Sequence, residues 1–353
     1  MQFDYPTVLS FDDVLLVPQK SPINSRSDVD LQTQITKYFK LEIPLITTNM
    51  STVTGIDMVL EMNRLGGMSV LHRFESLEEQ IKKVSLLKSK NAKFAISLGI
   101  KSDALEIAKA LVNAGANIIN IDVAHGHLER TLETVRLLKN EFKDDVFIWG
   151  GIAATYEGAR DLYEAGSDVV TVGVGGGSIC TTRVQTGCGL PTFTSIVEAA
   201  RAAKEYNRTV IPLAGIENSG MIDKALAAGA CAIMAGNLFA GTDECPTSIV
   251  EVNGKKYKQY NGSTSLTEKT KHRESGLNKD KQYTKHVEGV EGFVTYKGPV
   301  SEVVDNILAG VRSGFSYCGA TTIKELQEKA KFVRVTPAVQ KENNFHDIVR
   351  NIT

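Results

Sequence analysis

The chain has 353 residues, with 40 Lys and Arg against 41 Asp and Glu, for a formal net charge of -1. A balance this close to neutral lacks the basic surface of a general nucleic-acid binder. A hydrophobic share of 42% supports a packed core, but no apolar run approaches the ~20 residues of a membrane span.

The first residues carry acids and no basic cluster ahead of an apolar run, unlike a signal peptide. Short runs rich in Val and Ile then recur at 44–49, 68–72, 93–99, 117–123, 145–151, 168–174, 210–215 and 231–236. None alternates apolar with polar, so each is predicted as a strand buried on both faces. Segments of helical period lie between them, as at 76–90 and 103–116. Gly66, Gly115, Gly166 and Gly229 each follow a helical pattern and precede a strand, where glycine accepts the left-handed conformation that ends a helix. Eight strand–helix units predict an α/β fold, a parallel (β/α)8 TIM barrel, as one catalytic domain over 1–353. A doubly wound open sheet is the alternative, but no glycine fingerprint follows the first strand.

Two stretches break the rhythm, 1–43 and 241–299. The segment from Ser263 to Val287 is polar and Lys-rich. It reads as a flap of about 261–287 leaving the catalytic end of the barrel after strand eight. It is either a lid or a surface insertion without function. Cys180, Cys188, Cys231, Cys245 and Cys318 form no CxxC pair. That points to a reducing cytoplasm and away from a disulfide framework or zinc ribbon.

The densest signal follows strand six. Gly173, Gly175, Gly176 and Gly177 let backbone approach a ligand or ion, and Ser178 suits a phosphate. Cys180, flanked by hydroxyls and Arg183, is the candidate nucleophile, with an inert loop thiol as the alternative. The strand-four end offers Asp122, His125 and His127. A loop role or a substrate or cofactor contact is favoured there over a metal. His72 and Arg73 end strand two on the same rim, while His272 and His286 read as solvated. Gly215, Gly236 and Ser178, with Tyr260 near in sequence, make a phosphate cradle. Glu288 sits among glycines after the flap, either as a general acid or base or as an exposed turn acid.

These residues resemble the IMP dehydrogenase/GMP reductase family. The resemblance rests on GGGSICTTR around Cys180, FDDVLLVPQ at 11–19, EGVEG at 288–292 and KFVRVT at 331–336. It covers nearly the whole chain. It implies a barrel, usually tetrameric, that binds a purine nucleotide and a nicotinamide cofactor, NADPH or NAD, with no nucleic-acid or membrane partner. Cys180 would attack purine C2, beside Thr182, with Glu288, Arg73 and Asp122 completing the catalytic set. Asn49, Met50, Ser178, Gly215, Gly236, Asn237 and Tyr260 would hold the nucleotide. Asp122, Val123, Ala124, His125 and Gly126 would face the nicotinamide. Gly175, Gly177 and Cys180 would hold a monovalent cation such as K+.

Two branches share these features. Leu71 to Phe94 leaves no room for the inserted regulatory unit of most dehydrogenases, which resembles the reductases. So do the stretches at 25–31, 49–55, 122–127 and 180–187. The Arg-Tyr pair that dehydrogenases carry in the flap is missing, although Arg273 could substitute. The long flap and the stretch at 288–300 look dehydrogenase-like. GMP reductase is the favoured expectation and IMP dehydrogenase the alternative; a non-catalytic nucleotide sensor is the third. Five positions depart from the family pattern: Ser51, Ile152, Thr171, Asn237 and Leu213. Arg73 also stands for the reductases' lysine. Where the family has an aspartate for the ribose hydroxyls, this chain has Leu213, which predicts altered sugar recognition and a modified or deoxy nucleotide.

Overall fold

A computed structural model describes residues 7–274, 284–285 and 287–343. Eight parallel strands form one sheet: β1 Leu45–Thr47, β2 Met68–Leu71, β3 Phe94–Leu98, β4 Ile118–Ile121, β5 Phe147–Ala153, β6 Val169–Val172, β7 Thr209–Pro212 and β8 Ile233–Ala235. Neighbours in sequence pair in order, and β8 returns to pair with β1. The remaining seam, β7 to β8, is held by a bridge between Leu213 and Met234 and by Cys231 N–H donating to the Val210 carbonyl at 3.0 Å. The sheet is thereby a nearly closed barrel, as the eight apolar runs predict.

Helices follow the strands on the outside: α1 Ile56–Arg64, α2 Leu77–Ser89, α3 Ala104–Asn113, α4 Glu129–Phe142, α5 Tyr156–Glu164, α6 Thr192–Tyr206 and α7 Ser219–Ala227. Only α2 lies between β2 and β3. Gly66, Gly115, Gly166 and Gly229 all take positive φ just past a helix, so the repeat in sequence is a repeat of helix ends. Strand residues alternate between two apolar environments. Ile46, Val70, Trp149 and Ile211 fill the barrel, while Leu45, Leu71, Ile148 and Val210 pack against helices. Both faces are buried, and this is why the strands show no polar alternation.

The stretch 1–43 has structure of its own. A hairpin of Thr33–Thr36 and Phe39–Leu41 seals the N-terminal end of the barrel with Ile35 and Leu41. Val14–Leu16 pairs antiparallel with Phe332–Arg334, so two motifs from opposite ends of the sequence are one sheet.

The stretch 241–299 is more ordered than a plain flap. β9 Ile249–Val252, β10 Lys255–Asn261 and β11 Glu291–Thr295 make an antiparallel sheet. Helix α8, Leu266–Glu274, lies between β10 and β11, and α9, Val300–Cys318, packs against α7 and α1. The expected flap is thus, over its described part, a docked helix with Glu268, Lys269 and His272 buried. His272 is not solvated as expected. It stacks on Phe74 with ring centroids 4.0 Å apart. His286 lies outside the described residues.

Candidate active site

The loop after β6 turns on Gly173 and Gly175, both at positive φ. A Cβ at Gly173 would stand 2.5 Å from the Leu213 carbonyl oxygen, and one at Gly175 would stand 2.5 Å from Arg183 Cγ. Only glycine fits this turn. It delivers half-buried Cys180 to the C-terminal mouth of the barrel, just ahead of a short helix, Thr182–Thr186. Arg183 braces the turn from below in sequence, donating from Nε to the Val174 carbonyl at 3.1 Å.

Glu288 reaches this loop by backbone pairing. Cys180 and Gly289 form an antiparallel bridge, Thr181 N–H donates to the Glu288 carbonyl at 2.8 Å, and Val290 N–H to the Ile179 carbonyl at 3.0 Å. The side chains then form a chain. Cys180 Sγ donates to Thr182 Oγ1 at 3.2 Å, and Thr182 Oγ1 donates to Glu288 Oε2 at 2.5 Å. A thiol, a hydroxyl and a carboxylate in this order can carry the thiol proton away from sulfur.

The opposite wall centres on Asp122. Its Oδ1 accepts Asn49 Nδ2 at 2.8 Å and its Oδ2 accepts Arg73 Nε at 2.8 Å. The Arg73 guanidinium also lies over the Phe74 ring, 4.7 Å from its centroid. Phe74 in turn carries His272, so a stack joins the rim to α8. That helix is anchored by Glu268, whose Oε2 accepts Ser51 Oγ at 2.9 Å and whose Oε1 accepts Asn261 Nδ2 at 3.3 Å. Burial alone would raise the Glu268 carboxyl, but bonds from Lys271, Ser51 and Asn261 outweigh it and hold the pKa below the ordinary value. Burial pushes His72 and His272 each down to about 4. Burial also lowers the Lys269 ammonium, against the charge of Glu288.

Both walls enclose a cavity of about 240 Å³. Cys180, Thr182, Glu288, Arg73, Asp122, Asn49, Met50, Ser178, Gly236, Asn237 and Tyr260 all line it, as do Gly175, Gly177, Val123 and Ala124. Three of the expected residues do not. Gly215 lies behind the wall, where a Cβ would meet Thr192 Oγ1 at 2.7 Å. His125 is exposed, and Gly126 packs on the peptide between Gly151 and Ile152. His127 pairs with Asp161 at 2.8 Å. Tyr260 bonds with Ser178, and burial raises its phenol above the ordinary value. Arg273 is exposed, with Nη1 3.5 Å from Thr284 Oγ1, and does not line the cavity. Sequence reasoning missed Phe74 and the Ser51–Glu268 anchor. No local pattern marks either, because each depends on α8 folding back over β1 and β2.

A profile of the IMP dehydrogenase / GMP reductase domain matches residues 8–346. Inosine-5'-monophosphate dehydrogenase from Nitrosopumilus maritimus is 32% identical, with 97% of this chain and 98% of that protein covered. GMP reductase from Leishmania major is 30% identical, with 97% of each covered. Both alignments exceed the 353 residues of this chain, running over 469 and 479 positions. Each relative therefore carries inserted sequence that this chain lacks, and the missing insert does not separate the branches. Among solved structures, a cysteine-to-alanine variant of GMP reductase from Trypanosoma brucei, in complex with guanosine 5'-monophosphate, superposes with a TM-score of 0.92 at 27% identity, covering 98% of this chain and 99% of that one. With the barrel, the cysteine loop and these likenesses together, the chain belongs to the IMP dehydrogenase / GMP reductase family of NAD(P)-dependent oxidoreductases.

Proposed function

We propose that the chain is a reductase of purine nucleotides carrying an amino group at C2, of which GMP is the ribonucleotide. The observation that carries this reading is the Cys180–Thr182–Glu288 chain. The sulfur bonds to C2 and the C2–N bond breaks. The thiol proton passes through Thr182 to Glu288 and leaves on the amino group as ammonia. When bound, the reduced nicotinamide, NADPH in this reading, supplies the hydride that fills C2 as sulfur departs. The thiolate is then reprotonated from solvent through Glu288 and Thr182. The net reaction consumes nucleotide, NADPH and one proton, and yields IMP, ammonia and NADP. Asp122, clamped by Arg73 and Asn49, would face the nicotinamide together with Val123 and Ala124.

A dehydrogenase must instead activate water for attack on C2. Arg73 is the arginine among the described lining residues, and it is committed to Asp122. Arg273, the candidate substitute, is turned to Thr284. The names of several relatives favour the dehydrogenase as the second reading.

The carbonyls of Gly175, Gly177 and Cys180 would hold K+, on a turn that only glycine can make. The exposed Ile249, Val250, Val252 and Phe293 of the antiparallel sheet support self-association, read here as a tetramer. Free thiols, exposed Cys188 among them, suit a reducing cytoplasm. We read the chain as one catalytic barrel without an inserted regulatory unit.

The test is absorbance at 340 nm in KCl, with GMP plus NADPH in one mixture and IMP plus NAD in another. Signal loss with ammonia release in the first supports the reductase; a rise in the second overturns it for the dehydrogenase. Replacing KCl with a larger cation reads the ion site. A sensor would give silence in both mixtures and an output indifferent to Cys180→Ala.

A further inference from the structure

Two polar groups line the cavity together with apolar residues. In one, Tyr260 bonds with Ser178, and a Cβ at Gly236 would meet the Tyr260 hydroxyl at 2.9 Å. The other is the chain of Cys180, Thr182 and Glu288. Ala214 lies beside the sulfur-bearing residue: a Cβ built on Gly177 would stand 3.3 Å from Cys180 Cβ and 3.7 Å from Ala214 Cβ. Leu213, next in the wall, packs on the apolar cluster inside the barrel and lines the cavity from there.

Ala214 holds φ at +83°, a left-handed backbone that disfavours any side chain. The chain keeps a methyl there although glycine would relax the turn. Among the described residues, the two carboxylates that line the cavity are already engaged. Asp122 accepts Asn49 and Arg73, and Glu288 accepts Thr182. Asn49 Oδ1 is taken as well, by the Thr48 hydroxyl.

Leu213 and Ala214 bond to Met234, two residues before Gly236, and Ala214 faces Gly177 of the cysteine loop, so a nucleotide with its phosphate at the first group and its base on Cys180 would lay its sugar along them. Neither Leu213 nor Ala214 has a side-chain group to bond the 2′ hydroxyl of a ribose, so covering it there costs its bonds to water. A methylene at that carbon matches the wall. We propose that the substrate is a purine 2′-deoxyribonucleoside monophosphate and that Leu213 selects it; this rests on the purine-nucleotide reading above.

The test is isothermal titration of full-length Cys180→Ala protein with dGMP and with GMP, beside kcat/KM of the unmodified enzyme for each with NADPH. The expected result is a preference for dGMP of roughly tenfold or more, the scale of one unpaired buried hydroxyl. Leu213→Asp should narrow that preference at least tenfold, and Leu213→Asn, which buries no charge, serves if the first variant does not fold. Equal or tighter binding of GMP overturns the proposal and leaves the purine reading standing. A dGMP preference that neither Leu213 variant changes overturns the assignment to Leu213. Binding of neither nucleotide overturns the purine reading, and this proposal falls with it.

Discussion

Replacing Glu288 by Gln tests the proton path most directly. The amide is nearly isosteric and its oxygen can still accept from Thr182 Oγ1, which lies 2.5 Å from Glu288 Oε2. It cannot take the proton. A positioned acid or base contributes typically ~10²–10⁴-fold to rate, so kcat should fall by that factor. Nucleotide affinity should change by less than about threefold, because the carboxylate is spent on Thr182. Thr182→Val cuts the same path one link earlier, between the hydroxyl and the sulfur 3.2 Å away. Residues that act as one unit are non-additive, so the double variant should be no slower than the slower single one. The assay is NADPH consumption with ammonia measured in parallel and affinity measured by titration. A Gln variant within tenfold of the parent, or a double variant whose loss is the product of the two, would refute the relay.

Three further outcomes are expected. Stability should peak near pH 6.5 through three groups that desolvation shifts: half-buried His72 and buried His272, each lowered to about 4, and buried Asp223, raised to about 8. As pH falls from 6.5 toward 4 the unfolded chain binds the two histidine protons, at ~1.4 kcal/mol per group and pH unit, outweighing the single opposite contribution of Asp223. As pH rises from 6.5 to 8 only Asp223 acts, and stability falls; urea midpoints across pH read both limbs, and Asp223→Asn should flatten the upper one. Arg73→Lys keeps charge but loses the fork on Asp122 and the contact over Phe74; the KM for nicotinamide should rise by roughly tenfold with KM for nucleotide steady. In Gly126→Ala a Cβ would stand 2.3 Å from the Gly151 carbonyl carbon, so the β4 loop must shift, with a loss of ~1–3 kcal/mol in a thermal melt and weaker cofactor binding.

The barrel was legible because its strands are buried on both faces and its helices end on glycine, and both features are local. Cys180 and Thr182 were legible for the same reason, lying on one short loop. The antiparallel sheet of β9, β10 and β11 was missed, although its turn is written plainly. Asn253 and Gly254 both take positive φ, and Asn-Gly is the strongest short signal for a two-residue hairpin. The strand before it, Ile249–Val252, is exposed throughout, so it shows no burial period. His272 looked like a solvated flap residue because its partner, Phe74, lies nearly two hundred positions away, a distance no periodicity spans. Ser51 is only a departure from the family pattern in the sequence, whereas in the fold it donates to the buried carboxylate of Glu268 on α8.

The pairing of Glu288 with the cysteine loop has a consequence for how the molecule is made. Thr182 and Glu288 lie 106 positions apart, and β8 is finished by Ala235. A nascent chain can therefore complete all eight strands, and display its thiol, before the acid has been synthesised. Closing that long loop is a separate entropic step from building neighbouring strand–helix units. Assembly of the scaffold and completion of the Cys180–Thr182–Glu288 chain are thus distinct events, and the thiol and hydroxyl stay without their carboxylate until the last third of the sequence is in place.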